Sequence, residues 1–274
     1  MVAYIAAMRI APLIYSISLS FHEWNLIRQD SPVFTGFDNY HHLLTDERFH
    51  NSLFVSFFFM FIATAVEVVL GTALALLINR DFWAKGVLRG VLVLPMFLNP
   101  VAVGTIWYIL LEPTIGPINY LLQLVGLPVA NILGDTNTAI WGIFVADLWE
   151  WTPFIVVLVL AALQGVPKSL IESAEIDGAS RWKVITKIHL PLVSGTIVVA
   201  ALLRAMDAFR VLPKIYVMTG GGPATSTESA SLYVLKTAFR FFELGYATSM
   251  TMVMLVLLML TYSMYLAHLR RSDK

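Results

Sequence analysis

Asp147, Glu150, Trp151 and Phe154 recur at i, i+3, i+4 and i+7, which puts two carboxylates and two aromatic rings on one face of a helix. Arg204, Asp207, Ala208 and Val211 repeat that spacing on a later segment. Both sets lie inside long apolar stretches. A charge at the middle of a bilayer costs about 2.5–3.5 kcal/mol on the insertion scale, so these residues must face a cavity or a partner. Two carboxylates beside a Trp and a Phe can hold a sugar. Hydroxyls donate to the carboxylates and accept from arginine, while the apolar face of the sugar ring packs on the aromatic. A second reading stays open. Arg204 with Asp207, and Asp207 with Arg210, are i, i+3 pairs that can neutralise each other along one helix. Arg210 points roughly 120° away from Arg204 and is the weaker candidate. Glu67 reads as a structural contact to another helix.

The elements that position these residues follow from composition. The 274 residues are 58% apolar and only 13% charged, with a mean hydropathy of +0.76. A soluble domain of this length needs no such excess, so the chain is an all-α, polytopic membrane protein. Six stretches are long and apolar enough to span: 2–20, 53–78, 87–111, 139–163, 192–218 and 247–268. Helices are required there, because lipid offers no partner to backbone N–H and C=O groups. The organisation is therefore a first span at 1–20, an outside loop at 21–52, a core of spans two to six at 53–268 and a short tail at 269–274. Pro95, Asn99 and Pro100 predict a kink in the third span. Asn99 either lines the path or meets a backbone partner. Arg9 and Pro12 weaken the first span, which starts almost at Met1.

One set of loops carries ten Lys and Arg residues, including Arg80, Lys85, Arg89, Lys168, Arg181, Lys183 and Lys187; the opposite set carries four. The basic set is cytoplasmic, which places both termini inside. A net charge of zero argues against nucleic acid as a partner. With no cysteine, disulfide, thiol and zinc-thiolate chemistry are excluded. There is no Gly-Lys-Ser/Thr phosphate loop, no His-Glu-x-x-His and no Gly-x-Ser-x-Gly, so the chain hydrolyses no ATP by itself. The Thr219-Gly220-Gly221-Gly222-Pro223 run lacks the strand and lysine of a phosphate loop and reads as a turn ending the fifth span. The outside stretch 112–137 is predicted to hold a short surface helix.

Between the fourth and fifth spans lies a polar island, PKSLIESAEIDGASRWKVITKIHLP, from Pro167 to Pro191. Ser169 with Glu172 fits a capping box, Asp177-Gly178 a turn, Ser180 the cap of a second helix, and Pro191 the start of a new one. The stretch resembles the signature loop of binding-protein-dependent ABC importer permeases: Glu-Ala-Ala, three residues, Gly, nine residues, Ile-x-Leu-Pro. Here it reads Glu172-Ser173-Ala174, then Gly178, then Ile188-His189-Leu190-Pro191, with Ser173 where Ala is usual. Three further stretches resemble the carbohydrate branch of that family. They are Ser20-Phe21-x-x-Trp24 with Phe34-x-Gly36-x-x-Asn39-Tyr40, the Thr219–Pro223 run, and Asp207-Ala208-Phe209-Arg210.

The resemblance implies a type I ABC importer permease in a bacterial or archaeal cytoplasmic membrane. Relatives usually carry a polar, basic tail before the first span, so the N-terminus is expected to be shortened. Implied partners are a second permease subunit, two ATPase subunits that carry ATP and Mg, and a substrate-binding protein or lipoprotein; this chain would bind no cofactor or metal. The loop at 164–191 would be the coupling element, with Glu172, Ala174, Asp177, Gly178, Ala179, Trp182 and Lys183 seated against an ATPase. Asp147, Glu150, Trp151, Phe154, Arg204 and Asp207 match the positions that line the sugar path in maltose-type relatives. A disaccharide such as trehalose or maltose fits best. A glycerol-phosphate permease is the alternative, disfavoured because an anion prefers a cationic lining. A proton-coupled secondary transporter is a further one, in which Glu67, Asp147, Glu150 and Asp207 form a relay.

Overall fold

The computed structural model describes residues 2–80 and 83–272. In chain order the helices are α1 (Val2–Leu19), α2 (Asp38–Thr45), α3 (Glu47–Ile78), α4 (Lys85–Val93), α5 (Pro100–Leu110), α6 (Pro117–Leu124) and α7 (Ala139–Gln164). They continue with α8 (Lys168–Ile176), α9 (Arg181–Val184), α10 (Leu190–Ala208), α11 (Leu212–Met218), α12 (Ala230–Phe239) and α13 (Leu244–Ser272). A small antiparallel pair, β1 (His22–Glu23) and β2 (Val33–Phe34), follows α1. Two compact units emerge: Ser56–Thr227, and the segment through Val55 together with Glu228 onward.

Among the described residues four helical stretches are long and apolar enough to cross a membrane: Glu47–Ile78, Ala139–Gln164, Arg181–Ala208 and Leu244–Ser263. A fifth arises if the bent pair Lys85–Phe97 and Pro100–Leu110 counts as one span. The side chain of Arg9 lies outside the described residues.

Two expected spans are broken. The third bends by 100° rather than kinking within one helix. Pro95 and Pro100 each remove a backbone donor, and Asn99 is extended at φ −69°, ψ 133°. The Asn99 side chain caps α5 by accepting from the Val101 N–H at 2.9 Å, so its partner is backbone. The fifth expected span, 192–218, stops at Ala208 and restarts at Leu212. Pro213 cannot donate to the Phe209 carbonyl and its ring crowds that turn, so the helix ends before it.

The polar island forms two helices joined by a turn at Gly178, whose φ of +74° suits glycine. Ser180 accepts from the Lys183 N–H at 3.4 Å, as a cap should. The Ser169–Glu172 capping box does not form. α8 begins at Lys168 behind Pro167, with no side-chain cap, which leaves Ser169 inside the helix. Pro191 stands in the first turn of α10, where a new helix was expected, but α10 is not separated from what precedes it. α9 runs through a π turn at Ile185–His189 into α10, the wider turn accommodating a residue that cannot donate. α6 is the short helix expected within 112–137.

In the loop after α1, Gly36 has a φ of +65°, and Asn39 Nδ2 donates to the Ser20 and His22 carbonyls at 3.0 and 2.9 Å. Tyr40 Oη meets Ser20 Oγ at 2.7 Å. The motif residues therefore build the loop. After α11 the glycine run is a turn, with Gly220 and Gly221 at φ +60° and +93°.

Candidate functional site

Within Ser56–Thr227, α7 packs on α10, and α11 packs on α5 and α7. α3 approaches α7 through Gly71, where an added Cβ would lie 2.6 Å from Ile155 Cβ. Small residues let spans approach closely where lipid supplies no hydrophobic drive. This close packing surrounds a chain of buried charges.

Arg204 of α10 is 1% exposed, yet it is the hub of the chain. Its Nε lies 2.5 Å from Glu67 Oε2 of α3, and its Nη2 donates to Glu67 Oε1 at 3.1 Å. The same Nη2 also donates to Asp147 Oδ2 of α7. The other Asp147 oxygen accepts from Lys214 Nζ of α11, and that ammonium lies 2.5 Å from Glu150 Oε2. Glu67, Asp147, Glu150 and Lys214 are all buried. The series Glu67–Arg204–Asp147–Lys214–Glu150 thus links four helices. Each ion neutralises a neighbour that would be costly alone.

Asp207 stands at the edge. Its side chain is 47% exposed and Arg204 Nη1 is 3.4 Å away, so the intrahelical pair exists but is long. Trp151 and Phe154 are half-buried, their rings meeting edge-on at 6.2 Å, and the Arg204 guanidinium lies 5.4 Å from the Trp151 ring centre. Arg210 is exposed. The structure thus brings Asp147, Glu150, Trp151, Arg204 and Asp207 together, with Phe154 one turn beyond. Asp147, Glu150 and Arg204 spend their charges on buried partners, and Asp207 and the rings keep open surface. Glu67 makes the interhelical contact that its sequence setting suggested.

Lys214 is the member that the two helical faces leave out. A signal was present: a lone lysine in Val211-Leu212-Pro213-Lys214-Ile215-Tyr216-Val217, as apolar a setting as that of Glu67. What hid it was the broken helix, which sets Lys214 off the register of Arg204.

The loop between α7 and α10 is the other candidate region. Glu172, Asp177, Gly178 and Lys183 are exposed, and Ala174 and Ala179 half-buried. Ile176 and Trp182 stand 86% and 72% exposed. A cleft of about 510 Å³ lies beside them, between the end of α3 and α8–α9.

Closely packed spans with paired charges inside and an exposed two-helix loop between two of them make up the core of a membrane transporter. The chain belongs to the binding-protein-dependent transport system inner membrane components, whose family model matches residues 67–274. It is similar to the trehalose/maltose transport system permease protein MalF of Thermococcus litoralis, 36% identical over 86% of this chain and 78% of that one. It is also similar to the trehalose transport system permease protein SugA of Mycobacterium tuberculosis, 33% identical over 88% of this chain and 77% of the relative. In fold it matches a chain of a bacterial ABC transporter that imports the acidic polysaccharide alginate. The TM-score there is 0.85 at 23% identity, over 98% of this chain and 92% of that chain. The protein is a multi-pass permease subunit, not an enzyme, and in such importers ATP hydrolysis belongs to separate ATPase subunits.

Proposed function

We propose that this chain is one of two permease subunits of an ATP-driven sugar importer in a bacterial or archaeal cytoplasmic membrane, taking a disaccharide of the trehalose or maltose kind. The carrying observation is the half-open face at Trp151, Phe154 and Asp207, backed by buried charges, in a chain whose relatives carry trehalose and maltose in their names. The sugar's C–H face stacks on Trp151 and Phe154, and a hydroxyl donates to Asp207. Asp147, Glu150 and Arg204 contribute charge from beneath that face.

The chain spans six times with both termini inside, α1 and the bent α4–α5 pair each serving as a span. Its loop then faces the cytoplasm and seats on an ATPase. Ile176 and Trp182 support this, as large apolar side chains left uncovered on a charged loop. Glu172, Asp177 and Lys183 form the polar rim, and Ala174, Gly178 and Ala179 permit close approach. ATPase closure moves the loop and rocks α7 and α10, to which it is joined directly, giving alternating access. A binding protein delivers the sugar from outside.

The test is uptake and ATP hydrolysis by the complete reconstituted complex over a panel of sugars, with and without a proton ionophore. One disaccharide should stimulate hydrolysis, and Asp207→Ala or Trp151→Ala should raise its half-saturating concentration. Gly178→Asp should disconnect hydrolysis from uptake. Uptake abolished by the ionophore would instead assign the buried carboxylates to a proton relay.

A further inference from the structure

The fifth span breaks at residues 209–211, and its far half, α11, is seven residues long. A segment so short holds no position through its own backbone bonds. What fixes it is specific. Lys214 of α11 is 3% exposed and reaches both Asp147 and Glu150 of α7. Behind it, Gly104 of α5 is close enough that an added Cβ would lie 3.4 Å from Lys214 Cα. Asp147 in turn is held by Arg204, on the near side of the break. The two cations grip one carboxylate from opposite sides of the break.

We infer that Lys214 is a positioning residue. It latches α11 to α7, so that the far half of the broken span stays docked on α7 during transport, with any backbone rotation taken up at the break. Hinges are short terminal stretches that take up backbone rotation between packed bodies. The latch is ionic because a buried ion pair fixes register where apolar packing alone would allow sliding. The inference rests on the permease reading but not on which sugar is carried.

The chain has no cysteine, so spin labels can be placed on it at will. One label goes at Val145 on α7 and one at Tyr216 on α11, both exposed, in the complete complex with its partners' cysteines replaced. The separation should be single and narrow, and equal in the resting and ATP-trapped states. Lys214→Met should broaden it and lower the ratio of sugar-stimulated to basal hydrolysis by about tenfold. Lys214→Arg, which keeps the cation, should restore both. If Lys214→Met does not assemble, Lys214→Met with Glu150→Gln removes the surplus acid and carries the same readout. If that pair fails too, the cluster holds the whole fold rather than α11, and the latch is wrong. A narrow distance in the Met variant, or a wild-type distance that changes between states, would also overturn it. Should no sugar stimulate hydrolysis, the sugar reading fails while the distances still decide the latch.

Discussion

Two ionic networks of similar make-up lie in the two units, and they differ in solvation. In Ser56–Thr227, Arg204 and Lys214 are held by Glu67, Asp147 and Glu150 with every member buried. In the other unit Glu228, 1% exposed, accepts from Arg48 at 2.6 and 2.9 Å and from Lys236 at 2.6 Å, but Arg48 is 36% exposed. Beside it Asp46 accepts from the Tyr233 and Tyr246 hydroxyls at 2.9 and 2.6 Å, and the Arg48 guanidinium lies over the Tyr233 ring. The solvated network can lose a member to water. The buried one cannot, so its charges must stay paired wherever the helices go. The solvated cluster is a clasp between distant chain segments, and the buried one ties four helices together inside an apolar core.

That contrast sets an order of effects. Arg204→Met should be the most damaging change, leaving Glu67 and part of Asp147 unpaired in the interior at a cost of about 3–5 kcal/mol. Assembled complex in the membrane should fall below detection. Were it to assemble with a normal melting temperature, the buried cluster would be no more demanding than the solvated one. Gly71→Leu should come next, at about 1–3 kcal/mol of overpacking against Ile155. A lowered melting temperature of the complex would show it, with Gly71→Ala milder.

Glu228→Gln should cost less, about 1 kcal/mol once solvent screening of Arg48 is allowed for. It should also alter the acid limb of stability. Burial pushes Glu228 up, but hydrogen bonds from Arg48 and Lys236 outweigh it and hold the group below its ordinary value. Asp46 is likewise depressed: burial raises it, and Tyr246, the Phe49 N–H and Tyr233 more than offset that. A depressed carboxylate stabilises fully above its unfolded pKa and loses that contribution as pH falls through the folded one. Wild-type protein should therefore lose stability on acidification below the ordinary carboxylate range, and Glu228→Gln should flatten that loss. Melting curves between neutral and acid pH measure it. Ser180→Ala should be smallest, about 0.5 kcal/mol of local helix stability for a cap bond as long as 3.4 Å, read as faster amide exchange in α9 with α10 unchanged.

Much of the site was legible because helical periodicity is local. Asp147, Glu150, Trp151 and Phe154 share a face by spacing alone, and the structure keeps them on it. The turn at Gly178 and the cap at Ser180 were equally readable, each depending on one residue's own conformational or hydrogen-bonding capacity. Pro95, Asn99 and Pro100 were readable as a kink but not as a 100° bend between two helices, which are packed on α7 and α11 far along the chain. The capping box was a misreading with a local cause: Pro167 starts the helix before Ser169 can cap it.

By itself, then, the sequence determined that several stretches are apolar and long enough to enter a membrane, where basic residues gather, and that charges such as Asp147, Glu150 and Arg204 must find partners there. Those are consequences of transfer free energy and a 3.6-residue period, and both act on neighbours in the chain. Only the tertiary structure decided who the partners are. Arg204 could have closed on Asp207 three residues away; instead it reaches Glu67 and Asp147, 137 and 57 residues distant, leaving Asp207 at 3.4 Å. A buried cation gains most where several carboxylates converge out of water, and only the packing of α3, α7, α10 and α11 brings them there.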